Sequence, residues 1–164
     1  MLFILWIIST VVAGSYFISA RLVPFDPQKV LTYVTGTQLI SELETSGLLK
    51  NKDFSQAIIH MTSDDCHCSK FSNDHKKALD LEAQTDGFHV MNITVSDKVK
   101  NIIPSTPAAL ITDKKGQLIY FGPYSEGLAC SSSNGLIELV LNNYRKGFNS
   151  KMIVEQATGC YCNI

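Results

Sequence analysis

The sequence predicts an α/β domain carried behind one membrane-spanning helix, and three observations lead there. The opening stretch MLFILWIISTVVAGSYFISA has no charged side chain before Arg21. Beyond it, segments with helical spacing of apolar residues alternate with short apolar runs of strand length. Glycines close the helical segments, and a turn sequence joins two of the strands.

About 20 apolar residues cross a bilayer, so residues 1–22 are expected to form a transmembrane anchor. A secretory signal peptide carries basic residues ahead of its apolar core, and none precedes Leu2. An uncleaved anchor is therefore the reading, with a cut after Val11 to Ala13 as the alternative. In residues 23–35 the prolines of RLVPFDPQK hold the chain extended, as a short stalk. The domain proper is expected over residues 36–148, with a cysteine-containing tail at 149–164.

Within the domain, QLISELETSGLL places Leu39, Ile40, Leu43 and Leu48 at helical spacing, with Gly47 as the stop. SQAIIHMT, Ser55 to Thr62, is an Ile-rich run of strand length. From Ser69 a second helix is expected, with Phe71, Ala78, Leu79 and Leu81 as its apolar face and Gly87 as its end. Phe88 to Ser96 alternates as a strand. Ala108 to Thr112 and Gln117 to Phe121 form two more, joined by DKKG with Asp113 as the turn former. Leu136, Ile137, Val140, Leu141 and Tyr144 line a last helix, capped by Ser133 or Asn134 and stopped by Gly147. The resulting order is α-β-α-β-β-β-α.

The net charge of −1 is spread along the chain. Without a Lys/Arg cluster the electrostatic footprint of a nucleic-acid binder is missing, and nucleic acid is not an expected partner. Arg21 and Lys29 follow the anchor, which by the positive-inside rule favours a cytoplasmic domain. The five cysteines argue the other way, because C-x-C pairs suit an oxidising compartment. The weighed expectation is a single-pass membrane protein with an extracytoplasmic, periplasmic domain. An odd cysteine count leaves at least one thiol free, metal-bound or paired with another molecule. Nothing in the sequence sets the oligomeric state.

A strand, a cysteine loop and helix, a strand, then STPAALITDKKGQLIYFG and a final amphipathic helix: this order resembles the thioredoxin-like superfamily, over roughly Ser55 to Lys146. The matching motif is Thr106-Pro107 ahead of the strand pair. The whole chain is also similar to a small family of membrane-tethered bacterial thioredoxin-like proteins with paired C-x-C motifs. The resemblance implies a central mixed sheet flanked by helices, and a cis-proline at Pro107 facing the cysteines, where Thr106 and Pro107 would bind a substrate backbone. It departs from the superfamily pattern in replacing C-x-x-C by Cys66-His67-Cys68.

The chemistry of that triplet follows from its position. A thiolate at a helix start is stabilised by the helix dipole and by unpaired N–H groups, so Cys66 and Cys68 are candidate nucleophiles. A protonated His67 would add to this, whereas Asp64 and Asp65 oppose it. Cysteines two apart in an extended segment are about 6.6 Å apart at Cα, near the upper end of the ~4.4–6.8 Å disulfide range. An internal bridge would be strained, and exchange with protein thiols or disulfides is expected instead. Cys130, in a Gly/Ser loop, is a candidate resolving thiol or a small residue packed under the loop. On this reading the chain is a thiol–disulfide oxidoreductase without a cofactor.

The alternative uses the same sulfurs. Cys66, Cys68, Cys160 and Cys162 are soft donors suited to Zn, and a subset with His67 to Cu, in a metal-binding or delivery module without turnover. Purely structural disulfides and a partner-binding domain are the remaining readings. Both C-x-C pairs sit in polar stretches, DDCHCSK and TGCYCN, and are expected outside the core. His60 reads as a core or strand-end residue, His75 and His89 as surface residues, and Tyr120 and Tyr124 as packing or groove-lining. Asn92 lies in a predicted strand, which argues against its N-I-T sequon. Where GCYCN lies relative to Cys66 and Cys68 decides between one four-sulfur site and two separate pairs.

Overall fold

In the computed structural model, which describes residues 2–127 and 135–164, the apolar opening is helix α1, Leu2–Ser19. None of its residues is buried, and its mean hydropathy of 2.0 over 18 residues makes it long and apolar enough to cross a membrane. The following segment departs from the expected stalk. Val23–Pro24 is a short strand, β1, and the adjacent Phe25 is fully buried. Phe25 donates its N–H to the Ala157 carbonyl at 2.8 Å and meets Phe121 and Tyr161 edge-on. Asp26 then accepts the N–H groups of Val30 and Leu31 at 2.9 and 2.8 Å, turning the chain so that Leu31 is buried too. The prolines do restrict the backbone, but Phe25 and Leu31 carry enough apolar surface to pull the segment onto the domain.

Helix α2, Gly36–Thr45, starts at Thr35, whose hydroxyl accepts the Gln38 N–H, and buries Leu39 and Leu43. Strand β2, Ala57–Thr62, is buried along nearly its whole length, as a central strand must be. Helix α3, Ser69–Thr85, corrects the expected face: its buried stripe is Ser72, His75, Leu79 and Ala83, whereas Phe71 is 54 % and Leu81 70 % exposed. Ser72 and His75 are polar, so apolar spacing alone points to the wrong side of the helix. His75, expected at the surface, is buried because its Nε2 bonds the Glu138 carboxylate and its ring packs edge-on to Tyr124.

Strand β3, His89–Thr94, a 3₁₀ turn at Asp97–Val99, and the two-residue strand β4, Ser105–Thr106, follow. Strands β5, Ala108–Thr112, and β6, Leu118–Gly122, form the expected pair. Asp113 turns between them by accepting the N–H groups of Lys115 and Gln117. Helix α4, Leu136–Arg145, buries Ile137, Val140 and Leu141; the expected caps Ser133 and Asn134 lie outside the described residues, as does Cys130. Three short strands complete the chain: β7 Met152–Ile153, β8 Thr158–Gly159 and β9 Cys162–Asn163.

The main sheet is mixed, with order β3-β2-β5-β6-β7. β2 runs parallel to β3 and antiparallel to β5, β5 and β6 are antiparallel, and β7 returns parallel to β6. Helices flank it, α3 against β2 and β3, and α2 and α4 against β6. Residues 149–164 are therefore no free tail. β7 extends the sheet, β8 pairs with β1, and β9 pairs with β4.

One polar group sits deep in this core. His60 of β2 is fully buried, with Nε2 2.6 Å from Asp80 and Nδ1 bonded to the Tyr124 hydroxyl. The carboxylate accepts only, so Nε2–H donates to it and Nδ1 accepts the tyrosyl proton. Burial, which outweighs the pull of Asp80, holds the His60 pKa down at about 4. Tyr120 is buried as well, its hydroxyl donating to the Pro123 carbonyl.

Candidate functional site

The site is built by three segments: the loop after β2, strand β4 and strand β9. After Thr62 the chain curls tightly, with Cys66 N–H on the Ser63 carbonyl and Ser69, Lys70 and Phe71 N–H groups on the carbonyls of Cys66, His67 and Cys68. Cys68 stands at the N-cap of α3. In this turn the sulfurs of Cys66 and Cys68 lie within 4.8 Å of each other, but each is bonded to its own partner.

GCYCN supplies both. Cys160 lies in the bend after β8 and Cys162 opens β9, and both turn toward the loop of Cys66 and Cys68 while Tyr161 packs on Phe25. Cys66 is bonded to Cys162 and Cys68 to Cys160, each with Cα atoms 5.6 Å apart. The expectation that Cys66 and Cys68 do not form a stable bridge with each other agrees with this pairing. Tyr161 anchors the segment from the opposite side, buried against Phe25 and donating its hydroxyl to the Ser125 carbonyl at 2.8 Å. The expected exposure of the cysteines is overturned: Cys66 is 7 %, Cys68 9 % and Cys160 9 % exposed. The segments around them are polar, but pairing across two segments buries Cys66, Cys68 and Cys160 and leaves Cys162 half-buried.

The remaining predicted residues surround this pair of bonds unequally. Thr106 is buried, its hydroxyl bonded to Ser63 at 2.7 Å, and its carbonyl oxygen lies 3.4 Å from Cys66 Sγ. The Thr106-Pro107 peptide is cis. β4 and β9 are antiparallel, with Thr106 opposite Cys162 and Ser105 opposite Asn163. His67 lies exposed between the two buried cysteines, its Nδ1 on the Asp65 carbonyl at 3.1 Å. Beside Cys162 opens a cleft of about 370 Å³ lined in part by Asp64, Asp65, Asp97, Asn163 and Ile164. A cleft of about 410 Å³ between α2 and the start of β6 contains no cysteine or histidine and has no part in this chemistry.

The sulfurs of Cys66, Cys68 and Cys162 all lie within 4.8 Å of one another. As two disulfides the site holds four fewer electrons than as four thiols. Reduced, it presents convergent soft donors, the set that suits tetrahedral zinc or Cu(I), so the residues present fit such an ion. Asn163 and the β4–β9 pairing are not among the residues and elements expected from the sequence. The alternation G-C-Y-C-N, two cysteines flanking one aromatic residue, was the available signal.

Gly159 is the close-packed joint of this arrangement. A Cβ there would meet the Tyr161 ring at 2.7 Å and the Gly127 carbonyl oxygen at 3.0 Å. Gly159→Ala is expected to destabilise the chain by about 1–3 kcal/mol, the usual range for overpacking, as measured by urea unfolding. An unchanged midpoint would show that Tyr161 is not held where these contacts put it.

The model of a family described as a domain of unknown function, DUF6436, matches residues 37–164. The chain belongs to the DUF6436 family. No curated protein and no solved structure matches it. The DUF6436 match takes in both C-x-C motifs, Thr106-Pro107 and every strand of the main sheet, so the four-cysteine cluster lies wholly within the DUF6436 region.

Proposed function

We propose that the chain is a membrane-anchored, thioredoxin-like thiol–disulfide oxidoreductase with its soluble domain on the extracytoplasmic side. The observation that carries this is the convergence of Cys66, Cys68 and Cys162 within 4.8 Å, at the start of a helix and beside an open cleft. Any one of these sulfurs, freed as a thiolate, stands next to a bond it can attack. The helix start favours the thiolate of Cys68. The thioredoxin-like reading of the fold is supported by the parallel β2–β3 pair joined through α3 and by the antiparallel β5–β6 pair after Pro107. Paired cysteines support an oxidising compartment, and α1 supports the anchor.

In this reading Cys66 attacks a substrate disulfide, Thr106 and Pro107 hold the substrate backbone, and a neighbouring cysteine resolves the intermediate. Equilibrating the full chain in detergent against glutathione redox buffers tests it. We expect at least one of the two bonds to open and close reversibly, with a midpoint above about −300 mV; structural disulfides lie below that value. If both bonds resist reduction below it, exchange is not their role.

The same convergence of three sulfurs favours a second reading, a thiolate site for zinc or Cu(I). Purification of the full chain under reducing, anaerobic conditions distinguishes the two. One metal per chain, lost in a Cys160→Ala/Cys162→Ala variant, points to metal binding; glutathione-disulfide exchange by a metal-free chain points to redox.

A further inference from the structure

We infer that the last strand of the chain occupies the place of a polypeptide substrate: β4 is a docking edge for an extended, cysteine-bearing segment, and in the oxidised protein Cys162–Ile164 fills it. This deepens the exchange reading and rests on it. β4 lies outside the main sheet, and its ladder partner among the described residues is β9. The contacts made there are mostly main-chain. Ile164 N–H donates to the Pro104 carbonyl at 3.2 Å, so the alternation of an antiparallel ladder makes Thr106 and Cys162 the next hydrogen-bonded pair. A side-chain bond adds to it, from the Ser105 hydroxyl to Asn163 Oδ1 at 2.9 Å. Main-chain pairing is indifferent to sequence, so any extended segment makes the same bonds. Selection comes from the sulfur: the residue opposite Thr106 is the one that Cys66 reaches.

The two disulfides then have different tasks. Cys68–Cys160 lies between two buried residues and, with Tyr161 seated on Phe25, pins the segment to the core. Cys66–Cys162 joins the site to a half-buried residue that lines the open cleft. Beyond Tyr161, the strand is held by this bond, the β4 ladder, Asn163 and the half-buried Ile164 side chain, which packs against the core. Breaking this one bond leaves Cys162–Ile164 held by non-covalent contacts alone, which a competing segment can replace, while the second disulfide and Tyr161 keep the rest in place.

The cycle balances as follows. An external dithiol gives two electrons and two protons to Cys66–Cys162 and leaves as a disulfide. The freed strand vacates β4, and a substrate segment pairs in its place. The Cys66 thiolate forms a bond to the substrate sulfur opposite Thr106 and expels that sulfur's partner, which takes a proton from water. Cys162 then returns as a thiolate, bonds Cys66 and releases the second substrate thiol. In sum, substrate disulfide and protein dithiol become substrate dithiol and protein disulfide.

The test uses the full chain in detergent with Cys162→Ala and Cys130→Ala, which leaves Cys66 as the free thiol. The probe is the peptide ATGSYCNI with its cysteine carried as a mixed disulfide to thionitrobenzoate, whose release is read by colour. Two controls are the same peptide N-methylated at the cysteine and isoleucine amides, and the glutathione mixed disulfide. The unmethylated peptide is expected to react at least tenfold faster than either control. Equal rates for all three overturn the docking edge and leave the exchange reading standing; no reaction with any of them overturns both. Amide exchange at Thr106 in the wild-type chain is an arm independent of any variant: protection is expected to fall at least tenfold on dithiol reduction. Unchanged protection means that the strand does not leave, and overturns the inference.

Discussion

Replacing all four paired cysteines by alanine is expected to cost about 7 kcal/mol in chain entropy, yet removing either bond alone only about 2 kcal/mol. The asymmetry follows from topology. The bonds span 96 and 92 residues and run side by side, so whichever forms first closes a loop of nearly a hundred residues, worth about 4.7 kcal/mol. The second bond closes only a small ring through residues 66–68 and 160–162, worth about 2 kcal/mol. Against a typical net stability of ~5–15 kcal/mol, loss of one bond is tolerable and loss of both is severe. Urea unfolding of the full chain in detergent, for Cys66→Ala/Cys162→Ala, Cys68→Ala/Cys160→Ala and the quadruple variant, checks this. If the two double variants sum to the quadruple effect, the loop argument fails. In the exchange we propose, the same asymmetry would let Cys66–Cys162 open while Cys68–Cys160 preserves the fold.

Stability is expected to fall as pH drops from about 6.5 to about 4, by on the order of 3 kcal/mol from His60 alone. His60 is neutral in the fold, with its pKa held at about 4 chiefly by burial, and returns to about 6.5 when the chain unfolds. Between those values the unfolded chain holds more protons than the folded one, so acid favours unfolding; above about pH 6.5 the contribution is complete and flat. Protonation would also put a second N–H where Nδ1 now accepts the Tyr124 hydroxyl. Unfolding free energies measured between pH 4 and 7, compared with those of His60→Gln, isolate the effect from that of the carboxylates. Parallel profiles for the two chains would mean that His60 is not held neutral by burial.

Local signals carried much of the architecture. The β5–β6 pair is legible because Asp113 and Gly116 make the turn from neighbouring atoms, and α2 because Leu39 and Leu43 face one way. The face of α3 was not legible: Ser72 and His75 are on the buried side only because Glu138 and Tyr124, far along the chain, receive His75. Segment 23–35 misled for the same reason, since Pro24 and Pro27 announce extension locally while the pocket for Phe25 is made by Phe121 and Tyr161. In the candidate site, the residue types and the improbability of a bridge within C-x-C were readable, because they depend on two-residue geometry.

By itself, the sequence determined the apolar helix, the α/β alternation and the presence of two C-x-C motifs. Each of these depends on spacing within one or two turns of chain. Only the tertiary structure decided that the two motifs are one site, that Cys66 pairs with Cys162 and Cys68 with Cys160, and that Cys162 stands opposite Thr106. Those facts depend on closing a loop of more than ninety residues, and packing of Tyr161 and Phe25 sets that closure, which no short-range spacing encodes.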